Sequence, residues 1–169
     1  GVKVIELNLS CPNEGINHLL CFDVERSARV VEVVKKEIGD TPLLIKISYF
    51  ADIEHLKRLV DKVAPFVQGI SSINTIPGKI IDANGKPALT AGRISSGTCG
   101  APVKWAGLDM VAKLKKLRGE LGYSYIIIGV GGVMNADDFF EYRKAGADFV
   151  MSATGAIWNP YLAKEIKET

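Results

Sequence analysis

Five short apolar runs, Val4–Leu9, Leu43–Ser48, Gly69–Asn74, Tyr125–Gly129 and Phe149–Ser152, set the frame for this chain. Each is rich in Ile, Val or Leu and lacks clean alternation, the pattern of strands covered on both faces. Helix-period segments separate them. The first covers Val24 to Ile38, with Val24, Ala28, Val31, Val34 and Ile38 on one face; Asp23 is its expected N-cap and Gly39 its stop. The next helices are predicted over residues 53–63, 108–117, 136–145 and 160–166, with Asn135 capping the fourth and Gly146 ending it. Strand and helix alternate throughout, so the sheet is expected to be parallel. The fold class is α/β: an open doubly wound sheet, or part of a (β/α)8 barrel, which needs eight such units and about 250 residues.

Bulk properties narrow the function. With 169 residues and 47% hydrophobic composition there is material for one domain with a real core. The net charge of +2 comes without a basic stripe, so nucleic acid is not an expected partner. The longest apolar runs are far too short to span a bilayer, and no signal-peptide pattern is visible, so a cytoplasmic location without membrane association is expected. Cys11, Cys21 and Cys99 form neither a C-x-x-C pair nor an even set, which fits reduced thiols. Acidic residues do not cluster at strand tips, so neither a metal site nor a carboxylate pair is expected. His18 and His55 read as loop and surface residues, and Trp105 and Trp158 as packing residues.

The polar residues have a positional logic. The first strand ends in Asn8, Ser10 and Cys11, with Pro12 and Asn13 beyond; the second carries Lys46 between Ile45 and Ile47; the third ends in Asn74 and Thr75. The fourth ends in Gly129-Val130-Gly131-Gly132, and the fifth in residues 152–156, Ser-Ala-Thr-Gly-Ala. In parallel α/β folds the C-terminal edge of the sheet is where ligands bind. Bare glycine backbone lets N–H groups converge on a phosphate. An ammonium in an apolar strand is costly to bury without an anionic partner. Residues 80–104 interrupt the βα rhythm. Their Asn84-Gly85 pair signals a tight turn in a small hairpin, and a loop that long after a parallel strand is usually functional. Together the tips offer a thiol, a lysine, several amides and a phosphate cradle, a set suited to a phosphorylated cofactor beside a small polar ring and to proton abstraction by a thiolate.

The stretch Glu6–Asn13, ELNLSCPN, resembles the signature of class 1 dihydroorotate dehydrogenases, the soluble flavin enzymes of pyrimidine synthesis. The resemblance continues in register through LLIKIS, SSINTIPG, SGTCGAPVK, IIIGVGGVMNADDFFEYRKAGADFV and ATGA. It implies a TIM (β/α)8 barrel holding FMN at its C-terminal mouth, of which this chain supplies about strands four to eight as one domain, residues 1–169. The first three strands are then absent, leaving two open edges and an apolar inner face to be covered by an N-terminal segment or a complementary chain. The implied reaction is oxidation of dihydroorotate to orotate, with a proton leaving C5 and a hydride passing from C6 to the flavin. Cys11 stands at the position of the base; the membrane-associated class 2 enzymes carry serine there. Asn8, Asn13, Asn74 and Thr75 match residues that hold the pyrimidine ring. Lys46 matches a lysine near the flavin N1/C2 edge, and Gly100, Gly131, Gly132 and Thr154 match backbone positions around the flavin and its phosphate.

Two positions depart from the pattern: Ala153 stands where the family often has glycine, and Cys99 where it often has glycine or serine. The nearest alternative is a dihydropyrimidine dehydrogenase acting on uracil or thymine, from which CPN in place of CPH leans away. A flavin- or phosphate-binding half barrel without turnover is the other, although binding alone needs no base. Family members use fumarate, NAD through a second subunit, or quinone as acceptor, and class 1 enzymes are generally homo-oligomers.

Overall fold

The computed structural model describes residues 1–11, 19–90 and 95–169; Pro12, Asn13 and His18 lie outside them. The chain alternates β1 (Ile5–Asn8), α1 (Val24–Ile38), β2 (Leu43–Ile47), α2 (Ile53–Val63) and β3 (Gly69–Ser72). A hairpin of β4 (Ile76–Lys79) and β5 (Ser95–Thr98) follows, then α3 (Lys104–Leu121), β6 (Ile126–Val130), α4 (Ala136–Ala145), β7 (Phe149–Met151), α5 (Thr154–Trp158) and α6 (Leu162–Glu168).

The strand order is β1-β2-β3-β6-β7, parallel at every pairing. A doubly wound sheet reverses its strand order at a switch point; this sheet never does. Consecutive winding in one direction is the geometry of a barrel wall, and it settles the choice the sequence left open.

Register assigns the faces. Leu43, Ile45 and Ile47 are fully buried, as are Ile70 and Ile127 on neighbouring strands. They pack against the helices with Val31, Leu56, Leu59, Val60, Met110, Val111 and Leu114. The opposite face carries Glu6, Asn8, Leu44, Lys46, Ser71, Ile128, Phe149 and Met151, which the parallel pairings bring side by side. Phe149 is 60% exposed and Met151 45%. Cover on both faces was expected; among the described residues the opposite face has it in part, with Ser71 and Ile128 buried and the β7 positions open. The inner face of a barrel is filled by its own opposing strands, and five strands do not close one.

Local chemistry explains the helix limits. The Asp23 carboxylate accepts the Arg26 N–H at 3.0 Å, Asp52 caps α2 through Glu54 N–H at 2.9 Å, and Asn135 caps α4 through Asp138 N–H at 2.9 Å. Gly39 and Gly146 end their helices at positive φ, as expected. The third helix starts at Lys104, four residues ahead of the expected Leu108, because Pro102 lies in a 3₁₀ turn, Ala101–Val103, that feeds straight into it. The interruption is a hairpin as expected: Gly85, at φ 76°, donates its N–H to the Asp82 carbonyl, and Asp82 Oδ1 accepts from the N–H groups of Asn84 and Lys86. Short α5 was not anticipated. No helix among the described residues is long and apolar enough to cross a membrane.

Candidate functional site

The strand tips knit together before any ligand is considered. Asn8 Oδ1 accepts from the Ser10 N–H at 3.1 Å and from Asn74 Nδ2 at 3.2 Å. Asn74 Nδ2 also donates to the Ser10 carbonyl at 2.9 Å, and Asn74 Oδ1 accepts the Thr75 N–H at 2.8 Å. The tips of β1 and β3 are therefore joined across β2, with both asparagines held by several bonds. A side chain tied in this way loses little further freedom when it grips a ligand. Cys11 is exposed at the rim beside this network.

Beyond it opens a cleft of about 200 Å³. Seven of the residues expected at the site line it: Lys46, Asn74, Thr75, Gly100, Gly131, Gly132 and Thr154. Asn8 and Cys11 are not in its lining; Asn8 stands behind Asn74, and Asn13 lies outside the described residues. Cys99 and Ala153 also line the cleft.

The glycines are there for close approach. Gly100, Gly131 and Gly132 have φ of 75°, 126° and 71°, values that side-chain-bearing residues rarely adopt. A methyl group on Gly132 would lie 2.9 Å from the Gly100 carbonyl oxygen and 2.7 Å from Lys104 Cβ. One on Gly155 would collide with the Val133 carbonyl and sit 2.7 Å from Ser152 Oγ, which itself donates to that carbonyl at 2.7 Å. The segments after β5, β6 and β7 thus meet through close backbone approach at Gly132 and Gly155 and form a glycine cradle beside the cleft. Bare backbone facing a cleft is the kind of surface on which N–H groups can meet a phosphate. Ala153 does not disturb it, because its φ of −111° needs no glycine.

Two supports of this cradle escaped the sequence reading. Tyr142 of α4 is fully buried, with its ring against Gly129 and its hydroxyl over Gly107. That hydroxyl donates to the Gly131 carbonyl at 2.6 Å, fixing the turn that follows β6. Burial, with help from Asp138 and Glu141, pushes the phenol well above its ordinary range, so it remains a donor. Lys104 joins α3 to α4 through Asp138 at 2.7 Å and Glu141 at 3.0 Å, and Asp138 also accepts the Met134 N–H at 2.8 Å. Burial raises the Asp138 carboxyl, but Lys104 and the Met134 N–H outweigh it and hold the group below the usual carboxylate range. Hydrogen bonds to Asp138 and Glu141 raise the Lys104 ammonium. Glycines at 107 and 129, spaced to receive a ring from a third element, were the available signal for Tyr142.

The anionic partner that Lys46 required is Glu6. Its Oε1 lies 3.3 Å from Lys46 Nζ, and its Oε2 accepts from Ser71 Oγ at 2.6 Å. The sequence reading had not named Glu6 as that partner. In ELNLS, Glu6 and Asn8 share one face of a strand, which was the legible signal.

A parallel, consecutively wound sheet with a glycine-lined cleft at its C-terminal edge defines the class: the wall of a β/α barrel. The comparisons are more particular. The family model described as dihydroorotate dehydrogenase matches residues 1–169, and the chain belongs to that family. It is 36% identical over 170 residues to a dihydroorotate dehydrogenase of Dictyostelium discoideum, covering 96% of this chain and 45% of that protein. It is 32% identical over 168 residues to the catalytic subunit of dihydroorotate dehydrogenase B (NAD(+)) of Staphylococcus carnosus, covering 98% of this chain and 52% of the relative. The crystal structure of the Eimeria tenella enzyme in complex with ferulenol shares the fold, with a TM-score of 0.77 at 20% identity over 98% of this chain and 48% of that one. The chain thus spans about half the length of the curated relatives it matches.

Proposed function

We propose that this chain supplies the C-terminal part of the barrel of an FMN-dependent, class 1 dihydroorotate dehydrogenase, oxidising dihydroorotate to orotate in pyrimidine biosynthesis. The observation that carries the proposal is the cleft: seven residues expected from the family pattern line one space, three of them glycines at positive φ. Catalytic subunits named dihydroorotate dehydrogenase B among the relatives, and a cysteine at position 11, support the class 1 assignment.

In this scheme Gly100, Gly131, Gly132 and Thr154 would hold the phosphate end of FMN, and Lys46 would hold its ring. Asn8, Asn13, Asn74 and Thr75 hold the pyrimidine through its amide and carboxylate edges. Cys11, as thiolate, takes the proton from C5 of dihydroorotate. When bound, FMN would supply the hydride acceptor for C6. The interlocked Asn8 and Asn74 keep the ring from turning while the proton departs. The inner face and the open edges at β1 and β7 are covered by the remaining barrel segment, on the same chain or on a partner. The assembled enzyme is a cytoplasmic homo-oligomer.

The test is anaerobic addition of dihydroorotate to the full-length gene product. Bleaching of a bound flavin is expected; reduction by dihydrouracil but not dihydroorotate would move the substrate to the dihydropyrimidine class, and absence of flavin would remove the FMN assignment. Cys11→Ser should lower the flavin-reduction rate at pH 7 by roughly 10²-fold or more, with partial recovery at higher pH, because general-base catalysis contributes on that scale and a hydroxyl is a much weaker acid than a thiol. An unchanged rate would refute the base role.

A further inference from the structure

Among the described residues lining the cleft, Lys46 is the one charged side chain. It belongs to the interior row formed by Asn8, Lys46, Ser71 and Ile128, which parallel pairing sets side by side. Glu6 lies one row below, level with Leu44, Gly69 and Ile126. An ionised carboxylate in an otherwise apolar row is costly unless it is paired and hydrogen-bonded. Glu6 has both partners, the Lys46 ammonium on one oxygen and the Ser71 hydroxyl on the other. Three adjacent strands contribute one group each. The lysine and glutamate side chains are only 27% and 26% exposed.

We propose that Glu6 is the positioning residue for Lys46: clamped by Ser71, its carboxylate fixes the ammonium at the floor of the cleft and tempers the positive charge presented there. A lysine has four rotatable side-chain bonds, and an unpaired one at this position would sweep the cavity. Two-point anchoring of the carboxylate removes that freedom. It also sets the electrostatics. The cleft floor carries a balanced pair instead of a bare cation, so an anionic ring above Lys46 meets less attraction than the lysine alone would give. Resting on the FMN assignment above, the pair sets how readily the bound flavin is reduced and how readily it gives its electrons up.

The test compares parent, Glu6→Gln and Glu6→Asp forms of the full-length gene product. Glutamine keeps the shape and an acceptor for Ser71 but removes the charge; aspartate keeps the charge on a shorter arm. In protein stripped of flavin, covalent labelling of Lys46 by an amine reagent, read by mass spectrometry, should run severalfold faster in Glu6→Gln than in the parent, with Glu6→Asp between. Equal labelling in parent and Glu6→Gln would overturn the pairing whether or not flavin binds. In flavin-loaded protein, Glu6→Gln should raise the two-electron potential by roughly tenfold in the equilibrium constant, about 30 mV. It should also slow reoxidation by the acceptor. A loss of stability without a change in potential would mean that Glu6 is structural only and overturn the electrostatic role. A parent protein that holds no flavin, with Lys46 still released in Glu6→Gln, would refute the FMN assignment and leave the positioning role standing.

Discussion

Replacing Tyr142 by phenylalanine isolates one oxygen atom beneath the glycine turn. The hydroxyl donates to the Gly131 carbonyl at 2.6 Å in a fully buried setting. Its removal forfeits a hydrogen bond worth about 1 kcal/mol net and leaves a buried acceptor unpaired, for a total near 1–3 kcal/mol. The ring remains, so packing against Gly107 and Gly129 is preserved and no large cavity opens. The full-length protein carrying Tyr142→Phe should therefore unfold at a lower guanidinium concentration with an unchanged slope, since the surface exposed on unfolding is the same. The structure also predicts a selective effect. Gly131 lines the cleft, so FMN affinity should fall by about tenfold, the equivalent of 1.4 kcal/mol, while substrate KM in flavin-saturated protein stays close to the parent value. Tyr142→Ala, which adds loss of the ring, should cost about 3–5 kcal/mol. If Tyr142→Phe matched the parent in both midpoint and flavin affinity, the hydroxyl would have no part in holding the turn.

Other outcomes follow from the same geometry. Gly132→Ala must place a methyl group at φ 71° against the Gly100 carbonyl, so flavin content on purification should fall sharply, while the distant surface substitution Lys116→Ala leaves it intact. Asp138 has a depressed carboxyl in the folded state, so its contribution to stability is present above the unfolded value of about 3.9 and disappears as pH falls through the lower folded value. Denaturation midpoints measured from pH 6 to pH 2 should show that loss in the parent below about pH 4, and Asp138→Asn should be weaker at pH 6 with a flatter acid limb.

How much of this was legible in the chain depended on which interactions were local. Helix caps at Asp23 and Asn135 and the turn at Asn84-Gly85 are decided within a few residues, and the sequence displays them. The glycine tips were legible because positive φ and close approach leave no other residue type. The start of α3 was missed because its first turn buries Ala106 rather than a large apolar residue, while the preceding Pro102 marks the entry. Glu6 and Tyr142 were missed for a different reason. The partners of Glu6 lie 40 and 65 positions away across strand pairings that only the folded register defines, and Tyr142 meets Gly131, 11 positions back, only once α4 packs against the sheet. Strand order belongs to the same class: periodicity marks five strands but cannot say that they wind in one direction.

That winding bears on where the cleft gets its stability. Among the described residues each terminal strand of the β1-β2-β3-β6-β7 wall presents one unpaired ladder edge, and the face between them bears Phe149 and Met151. Whatever closes the ring binds only the folded wall, so it adds stability by mass action. Joined to this chain, the closing segment acts at an effective concentration in the millimolar range and the site's persistence is independent of dilution. Supplied by a separate molecule, it would make the melting temperature of the cleft rise with protein concentration.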